Sequence, residues 1–516
     1  MTTRRDFLKT AAIGSAAVLS AGCPGSAASQ KRRRPNLLFI WTDEQRPDTM
    51  GAYGNAKIRT PNLNRLGQES FVFERAYVTQ PVCTPSRSSV MTGLWPHQSG
   101  LETNNLPLPQ KVPCFPEILN DPGYATAYMG KWHLGDEVFR QRGFDEWVSI
   151  EDNYIGYYSR ERDKTKRSDY HQFLIGRGYK PDNPDQNTFS RTFCTTLPVE
   201  HCKPKFLEEK ACDFLKRHRN GSFILYVNFL EPHMPFNGPL DRMYDPKDVD
   251  FPASFSKPFG ENDPLRCRAR RVDDRKGYGS TEREFRELIA RYWGLVTQVD
   301  MSVGGILDTL DKLGLKDDTI VVYTSDHGDM MAAHGMVAKS VMYEEAIRIP
   351  WLVRVPWMGL TQKRIKDPVS QIDTVPTLLD LMSVKSGKAF PGQSLVPLMR
   401  GGKVKEDCVF IEWNTGRRKK SGKAETGNFN PDLLKALRTA PETLQQALDS
   451  EIRTVVSPDG WKLCLAAGDK SQLFNLNGDP GETNNLYYSG KHRDVIERLT
   501  SRIHKWQKKV ADTLTV

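Results

Sequence analysis

The chain has 516 residues, of which 38% are hydrophobic, 10% aromatic and 26% charged. This balance is typical of a globular protein with a large core, and it excludes disordered, collagen-like and small disulfide-rich chains. Beyond the first thirty residues no apolar run reaches the ~18 residues that a membrane span needs, which excludes a multi-pass membrane protein. The formal net charge of +10 is consistent with a basic solvated surface or with an anionic ligand. Because no nucleic-acid-binding motif is present, we do not expect nucleic acid as a partner.

The N-terminal segment has the features of an export signal. Arg4 and Arg5 lie in a stretch, residues 3–9, that resembles a twin-arginine signal, and a weakly apolar stretch follows at 11–21. That stretch is too short for a permanent anchor, so we predict a cleaved signal and tether over residues 1–34. Residues 19–23 resemble a bacterial lipobox, in which Cys23 would be lipidated and tether the protein to a membrane. We therefore expect the twin-arginine machinery to export the protein to the periplasm or cell envelope.

The nine cysteines do not form a recognisable framework. Their spacing matches neither a metal site nor the pattern of a small disulfide-rich domain. Cys194 and Cys202 are close enough in sequence to bridge a loop in an oxidising compartment, and the sequence leaves this pairing open.

Alternating strand-like and helical segments predict an α/β fold. Short β-branched or aromatic runs occur at 36–41, 124–129, 222–230, 319–324 and 349–355. This pattern is typical of a mainly parallel sheet covered by helices on both faces. The polar stretches 150–220 and 237–285 are predicted to be long loops or lids. A change of character near Gly401 divides a catalytic domain, 35–400, from a C-terminal subdomain, 401–516, with a small sheet and a terminal helix.

Four of the predicted strands are followed at once by side chains that can do chemistry. The residues concerned are Asp43 and Glu44, Lys131 and His133, His233, and Asp326 and His327. Open α/β sheets bind ligands outside the carboxyl ends of their strands. The four strand ends therefore predict one shared site.

The most informative segment is Cys-Thr-Pro-Ser-Arg at 83–87. Pro85 suits the first turn of a helix, whose N-terminus favours an anion, and Arg87 adds a cation within reach. From these residues alone, Cys83 is either an activated thiolate or a buried structural cysteine.

With these segments in place, the chain resembles the type I, formylglycine-dependent sulfatases of the alkaline-phosphatase superfamily. The C-x-P-S-R signature is at 83–87, and further family segments follow in order at 36–43, 130–133, 232–233, 325–328, 339, 473–476 and 479–482. The resemblance covers nearly everything from residue 35 onward. It implies an alkaline-phosphatase-like core with a large mixed, mainly parallel sheet flanked by helices, and a smaller C-terminal α+β subdomain.

The resemblance also implies a covalent mechanism. A separate maturation enzyme would oxidise Cys83 to formylglycine, whose aldehyde hydrates to a geminal diol. One diol oxygen would attack the sulfur of a sulfate ester, and the sulfated intermediate would collapse to the aldehyde with release of inorganic sulfate. Cys83 would then be a precursor rather than a thiol nucleophile.

By the same resemblance, the site holds one divalent cation, with Ca²⁺ as the expected ion. Asp43, Asp326 and the matured residue 83 would bind it, together with Glu44 and His327. Oxygen ligands suit a hard cation, whereas the softer imidazole of His327 leaves other divalent metals open. Gln45 follows Glu44 directly, so the sequence leaves open which of the two reaches the metal.

The remaining roles that the resemblance implies concern charge and proton transfer. His233 would protonate the leaving alcohol, His133 would take a proton from the remaining diol hydroxyl, and Asp326 would accept the proton of the attacking hydroxyl. Three cations would neutralise the sulfate oxygens and the charge that develops on them: Arg87, Lys131 and Lys339.

The predicted activity is that of a sulfatase acting on a sulfated carbohydrate or another sulfate ester. His97, Asn104 and His334 are expected to contact the substrate. Two alternatives remain open. One is a phosphonate or phosphate ester hydrolase of the same superfamily, and the other is a surface lipoprotein that binds sulfated glycans without cleaving them.

Overall fold

A computed structural model describes residues 34–416 and 428–516 of the chain. Its largest feature is a nine-stranded sheet in the order β4-β3-β5-β1-β6-β8-β2-β7, with β9 paired to β2. The strands are β1 (Asn36–Thr42), β2 (Phe71–Tyr77), β3 (Tyr124–Gly130), β4 (Glu146–Val148), β5 (Ser222–Asn228), β6 (Thr319–Ser325), β7 (Arg348–Ile349), β8 (Trp351–Arg354) and β9 (Lys363–Ser370).

The centre of this sheet is parallel. β1 pairs in parallel with β5 and β6, and β3 pairs in parallel with β4 and β5, whereas β8 runs antiparallel to β6 and β2. Every residue of β1 is buried. Leu37 and Phe39 pack into one hydrophobic cluster and Leu38 and Ile40 into another, so the strand contributes to a core on each face. This confirms the predicted mixed, mainly parallel sheet.

The strand predicted over 349–355 differs from the structure. It is divided into β7 and β8, with Pro350 between them. Proline has no N–H to donate to a sheet ladder, which accounts for the interruption. Strands β2 and β9 were not predicted from the sequence; they pair with each other in parallel and extend the sheet beyond β8.

Helices cover both faces of the sheet and form much of the remaining chain. They are α1 (Pro61–Gln68), α2 (Cys83–Thr92), α3 (Pro96–Ser99), α4 (Phe115–Leu119), α5 (Asp169–Gly176), α6 (Arg191–Cys194), α7 (Lys203–Arg217), α8 (Leu265–Tyr278), α9 (Glu282–Lys312), α10 (Glu344–Ile347), α11 (Thr374–Leu381), α12 (Val396–Met399), α13 (Pro431–Leu437), α14 (Pro441–Asp449) and α15 (Arg493–Val510).

The two stretches predicted to be long loops contain helices α5 to α8. A basic cluster at 266–276 is on α8, where its guanidinium groups donate to backbone carbonyls. Arg266 bonds to the carbonyl of Ser450, Arg268 to that of Leu437 and Arg270 to that of Val337. These contacts attach α8 to neighbouring segments, so the cluster is structural and its donors are engaged within the protein.

A second sheet forms the C-terminal part of the described chain. It is antiparallel, in the order β10-β11-β12-β13, with strands β10 (Val409–Trp413), β11 (Ile452–Val456), β12 (Trp461–Ala466) and β13 (Gln472–Asn475). Helix α15 packs against it through Leu499, Ile503 and Trp506. This confirms the smaller α+β part of the predicted fold.

The predicted export signal, including Cys23, lies outside the described residues. Within 34–416 and 428–516, none of the helices has the length and apolarity required to cross a bilayer. All eight cysteines of these ranges are unpaired, so Cys194 and Cys202 do not form a disulfide in this structure.

Candidate functional site

The register of the parallel strands brings their carboxyl ends into one row. Trp41 of β1 pairs with Asn228 of β5 on one side and with Thr324 of β6 on the other. Gly130, the last residue of β3, pairs with the same Asn228. Because the strands end level with one another, the residues that follow them meet at a single edge of the sheet.

Helix α2 delivers Cys83 to this edge. The helix begins at Cys83 after an extended Val82, and all ten of its residues are buried. The Thr84 amide donates to Asn104 Oδ1 at 3.0 Å, which satisfies one of the unpaired N–H groups of the first turn. Ser86 Oγ donates to Gln371 Oε1 at 2.8 Å, which fixes the helix against the sheet.

Four side chains converge at the start of α2. The ligand atoms of Asp43, Cys83, Asp326 and His327 all lie within 4.8 Å of one another, and all four residues are buried. His327 Nε2 is 3.3 Å from Cys83 Sγ, 3.9 Å from Asp43 Oδ1 and 3.7 Å from Asp326 Oδ1. His327 Nδ1 is 2.9 Å from the Gly328 carbonyl. A carbonyl can only accept, so Nδ1 carries the proton and Nε2 presents a lone pair to the cluster.

Arg87 and Lys131 fix the positions of the Asp43 and Asp326 carboxylates. Arg87 Nη2 donates to Asp43 Oδ2 at 2.7 Å, Nε donates to Asp326 Oδ2 at 2.9 Å, and Nη1 donates to the Lys131 carbonyl at 2.9 Å. Lys131 Nζ donates to Asp43 Oδ2 at 2.5 Å. Each carboxylate therefore uses its Oδ2 atom for a cation and turns its Oδ1 atom toward His327.

This donor set fits a divalent cation. Two carboxylate Oδ1 atoms, an imidazole lone pair and the side chain of residue 83 surround one point, and carboxylate oxygens are the ligands that hard cations prefer. Burial would raise the pKa of Asp43, but Lys131 and Arg87 outweigh it and hold that pKa well below its ordinary range. Asp43 is therefore ionised and ready to ligate.

Cys83 is not in the state of an activated thiol. Burial, followed by the nearby Asp43, raises the pKa of the Cys83 thiol far above its ordinary value. The thiol is therefore protonated at neutral pH. Since only the thiolate is a strong nucleophile, the interpretation of Cys83 as an activated thiolate is not supported.

Glu44 and Gln45 point in different directions. Glu44 has a positive φ of 67°, and its carboxylate forms an ion pair with Lys339 and lies 3.3 Å from His233 Nε2. The Gln45 side chain lies deeper, where its Oε1 atom accepts from Thr42 at 2.9 Å and from Tyr323 at 2.5 Å. Of the two, Glu44 is the residue on the site side. It belongs to a neighbouring group with Asp43 and His233 rather than to the cluster around His327.

His233 lies opposite this cluster beside Lys339. Its Nε2 atom is 3.4 Å from Lys339 Nζ, and its Nδ1 atom is 2.7 Å from the Met234 carbonyl, to which it donates. Burial, together with the charge of Lys131, lowers the pKa of His233 well below its ordinary value. The ring is neutral at pH 7, with its Nε2 lone pair facing the site.

His133 is held by three neighbours. Its backbone N–H donates to Glu137 Oε2 at 2.7 Å, its Nε2 atom lies 2.8 Å from Asn105 Oδ1, and its ring packs on Tyr154 with centroids 4.3 Å apart. If Nε2 donates to Asn105, Nδ1 carries the lone pair. This Nδ1 atom has no hydrogen-bond partner among the described residues. Burial and the charges of Lys131 and Arg87 lower the pKa of His133 well below its ordinary value, which keeps the ring neutral.

The three residues expected to contact substrate lie elsewhere or face the protein. Both ring nitrogens of His97 are engaged, one with Glu412 Oε1 at 2.5 Å and the other with the Val510 carbonyl at 3.0 Å. The ring of His334 is stacked on Tyr343 with centroids 4.0 Å apart. The structure does not bring either histidine to the cluster, and the Asn104 side chain supports α2. Contact of these residues with substrate stays a prediction.

Several residues at the site were not anticipated from the sequence. They are Asn105 and Tyr154, which contact His133, Arg191, which contacts His233 and Tyr154, and Gln371, which bonds to Ser86. Tyr154 and Arg191 come from the polar stretch predicted to be a lid. Nothing in the sequence of that stretch identified these two positions.

Comparison with known proteins identifies the family of the chain. The family model described as Sulfatase matches residues 35–384. An ulvan-active sulfatase from Formosa agariphila is 27% identical over 488 residues, which cover 92% of this chain and 81% of that protein.

Two solved structures share the fold. The phosphonate monoester hydrolase of Agrobacterium radiobacter has a TM-score of 0.72 at 20% identity, covering 92% of this chain and 96% of that one. A protein in complex with its substrate D-glucosamine-2-N,6-O-disulfate has a TM-score of 0.70 at 22% identity, covering 93% of this chain and 99% of that one. The family match spans most of the chain and includes the four strand ends and the signature helix. The chain therefore belongs to the sulfatase family of the alkaline-phosphatase superfamily, and it is a sulfuric ester hydrolase.

Proposed function

We propose that this enzyme hydrolyses sulfate esters of a sulfated carbohydrate, with formylglycine made from Cys83 as its reactive group and one divalent cation beside it. The observation that carries the proposal is the closed, buried cluster of Asp43, Cys83, Asp326 and His327. When formed, formylglycine supplies a hydrated aldehyde whose oxygen attacks sulfur and from which sulfate can later be eliminated. The protonated thiol of Cys83 fits the role of a precursor.

The charges of the site are consistent with a bound divalent cation. Asp43, Asp326 and Glu44 are balanced by three nearby cations: Arg87, Lys131 and Lys339. A divalent cation would make this balanced site positive and hence attractive to a sulfate ester. When bound, it would polarise the sulfate oxygens and stabilise negative charge on the reacting group. We propose Ca²⁺ because two of the side-chain donors are carboxylates, with Asp43, Asp326, His327 and residue 83 as ligands and Glu44 as a further candidate.

The proton-transfer roles are assigned from the positions of the imidazoles. His233 turns its Nε2 lone pair toward the site beside the Lys339 ammonium group, so Nε2 would take a proton from Lys339 and pass it to the leaving alcohol oxygen. His133 has an unpartnered Nδ1 atom and a depressed pKa, which suits a base that takes the proton of the remaining diol hydroxyl. Lys131 and Lys339 would stabilise the sulfate oxygens. Arg87 is tied to Asp43 and Asp326, and it would act mainly by orienting them.

A carbohydrate substrate is supported by the relatives. The ulvan-active sulfatase carries a carbohydrate in its name, and the structure with D-glucosamine-2-N,6-O-disulfate contains a sulfated sugar as its substrate. The polar segment that supplies Tyr154 and Arg191 offers donors and an aromatic face, as a sugar-binding surface requires.

The first experiment is mass spectrometry of the tryptic peptide 76–87 from protein produced with a formylglycine-generating enzyme. We expect the mass loss that accompanies conversion of the Cys83 thiol to an aldehyde. The matured protein should then release sulfate from a panel of sulfated sugars, and Cys83→Ala should not. An unmodified thiol, with a control sulfatase fully converted in the same cells, would overturn the formylglycine proposal.

Hydrolysis of phosphonate or phosphate esters is the second candidate activity, favoured by the structural likeness to a phosphonate monoester hydrolase. Sulfuryl and phosphoryl groups have the same tetrahedral shape but differ in charge, so matched esters of one alcohol separate the two. We expect kcat/KM to be higher for the sulfate ester. A higher value for the phosphonate would favour the second candidate, and binding without any hydrolysis would favour a glycan-binding lipoprotein.

We further propose export through the twin-arginine route, with lipidation at Cys23. A protein carried by that route is folded before export, so maturation of Cys83 would precede it. Cell fractionation tests both parts. Replacing Arg4 and Arg5 with Lys should retain the protein in the cytoplasm, and Cys23→Ser should release it from the membrane fraction.

A further inference from the structure

Arg191 lies in a part of the chain that contains none of the sulfatase-like motif segments, yet it reaches the site. It is the first residue of the one-turn helix α6, in the polar stretch between α5 and α7. Its Nη1 atom lies 3.3 Å from His233 Nδ1, and its Nη2 atom donates to the Tyr154 hydroxyl at 3.0 Å. Tyr154 in turn packs on the ring of His133. The guanidinium group therefore lies between the two histidines to which we assign proton transfer.

The position of this guanidinium group is fixed by a buried carboxylate. Glu151 Oε2 accepts from Arg191 Nε at 2.8 Å and from Nη2 at 2.6 Å. Glu151 Oε1 forms an ion pair with Lys203, and the Glu151 side chain is only 2% exposed. One carboxylate is thus shared by two cations, and the three side chains together carry a net positive charge.

Arg191 keeps donors that these contacts do not use. Nε and Nη2 are bound to Glu151 and Tyr154, which leaves the two hydrogens of Nη1. His233 Nδ1 donates its own proton to the Met234 carbonyl, so it cannot accept from Arg191. Among the described residues Nη1 therefore has no good acceptor, although it lies beside the His233 ring. The side chain is 18% exposed, whereas Arg87 is fully buried and bound to two aspartates.

From this arrangement we propose that Arg191 binds a second anionic group, a carboxylate or a second sulfate, on the alcohol part of the substrate. The inference rests on the proposed function, in which His233 protonates the leaving alcohol oxygen, because Arg191 is beside His233. Guanidinium groups suit both anions, since their planar N–H donors match the oxygens of carboxylates and sulfates. The preferred substrate is therefore a sugar with two anionic groups rather than a singly sulfated one.

Binding to the Cys83→Ala protein tests this independently of catalysis. In this background, Arg191 and Arg191→Gln are compared by calorimetry with Ca²⁺ present. The ligands are D-glucosamine 6-O-sulfate, D-glucosamine-2-N,6-O-disulfate, and 6-O-sulfated glucosamine linked to a uronic acid. The second and third ligands distinguish a sulfate from a carboxylate as the second anion.

With Arg191 present we expect a second anion to tighten binding by about 10- to 100-fold, the range of one or two charge-assisted hydrogen bonds. With Arg191→Gln the preference should fall below about threefold, while binding of the singly sulfated sugar changes little. An absence of preference in the protein with Arg191, or an equal preference after the substitution, would overturn the proposal.

Two controls separate this role from folding and from the proposed function. Arg177→Gln removes an exposed arginine of the same segment, whose guanidinium packs on Phe173, and should leave the preference unchanged. Arg191→Gln should fold, because Glu151 keeps its partner Lys203. Sulfate release is measured separately with the matured enzyme. A binding preference without sulfate release would contradict the proposed function and leave the role of Arg191 standing.

Discussion

At the scale of single residues, the site depends on which atom of each side chain faces the cluster; Asp326 Oδ1 is fixed there by the backbone N–H groups of Glu44 and His327. Arg87 and Lys131 occupy the Oδ2 atoms of Asp43 and Asp326, and the Gly328 carbonyl occupies Nδ1 of His327. The remaining Oδ1 and Nε2 atoms therefore face one another. A lone pair and two carboxylate oxygens held this way are pre-organised for a cation, because no ligand has to rearrange on binding.

The role of His327 can be tested through metal affinity. We expect His327→Ala to weaken divalent metal binding by more than about tenfold, since even the loss of a group that only orients a ligand costs about 10- to 100-fold. Calorimetric titration of the metal-free protein with Ca²⁺ measures this. His504→Ala, on the exposed face of α15, is the matched control and should bind as the parent does. Equal affinities in all three proteins would show that His327 is not a ligand.

The buried neutral histidines make stability depend on pH. The pKa of His133 is depressed in the folded protein, so the unfolded chain binds a proton more readily once the pH falls below about 6.5. Protonation therefore favours unfolding, and stability decreases from pH 7 to pH 5. His133 therefore contributes to the loss of stability over this pH range.

Thermal unfolding at pH 7 and pH 5 tests whether stability decreases in this direction. The decrease in melting temperature between pH 7 and pH 5 should be smaller in His133→Asn, which cannot titrate, than in the parent protein. A decrease of the same size in both proteins would show that the His133 pKa is not depressed.

At the scale of secondary-structure elements, the ends of the strands determine the geometry of the site. Gly130 ends β3 with a φ of +114°, and a Cβ placed there would lie 1.9 Å from the Asn228 carbonyl of the adjacent strand. Any other residue would separate β3 from β5 at the point where the chain continues into Lys131. Glycine is therefore required for close strand contact as well as for its backbone conformation.

Substitution of Gly130 should disturb both the close contact between β3 and β5 and the backbone conformation. Gly130→Ala is expected to destabilise the protein by about 3 kcal/mol or more and to abolish sulfate release, because the clash is with backbone that cannot move aside. Gly178→Ala is the control, since Gly178 also has a positive φ, +82°, but a Cβ added there would have no atom within 4 Å. That variant should lose only about 1–2 kcal/mol. Urea denaturation measures both, and similar losses would mean that contact with Asn228 is unimportant.

At the scale of the whole molecule, a buried ion network joins the small sheet to the large one. Lys462 of β12 is fully buried, donates to the Met342 carbonyl at 2.8 Å and forms ion pairs with Glu344, at 3.1 Å, and with Glu482. Glu344 begins α10, which leads into β7 of the large sheet. The C-terminal part is thereby attached to the core close to the segment that carries Lys339.

Removing this lysine should weaken the attachment. We expect Lys462→Met to cost about 3–5 kcal/mol, because it leaves the buried Glu482 and the partly buried Glu344 without their cation. The double variant Lys462→Met with Glu482→Gln should recover part of that loss. Thermal unfolding measures the loss, and limited proteolysis shows whether the C-terminal part opens first. A double variant no more stable than the single one would contradict this account of the network.

The predicted fold and much of the candidate site follow from local sequence features. Asp43 and Asp326 directly follow apolar runs that form β1 and β6, and parallel neighbours place their carboxyl ends at the same edge whatever the rest of the chain does. Cys83 and Arg87 are one helical turn apart, so a helix at 83–92 brings both to that edge. These relations depend on parallel strand direction and helix periodicity, both of which the residue pattern predicts.

Only the tertiary structure determines the directions of the side chains and the position of the polar segment that supplies Arg191. Glu44 faces the site and Gln45 faces Thr42 and Tyr323 because of the positive φ at Glu44, which no local pattern specified. His97 bonds to Glu412, more than three hundred residues away in sequence. Arg191 reaches His233 only because Glu151 and Lys203 hold it there. Such contacts join residues far apart in the chain, and their free energy depends on the packing and charge of all the partners at once.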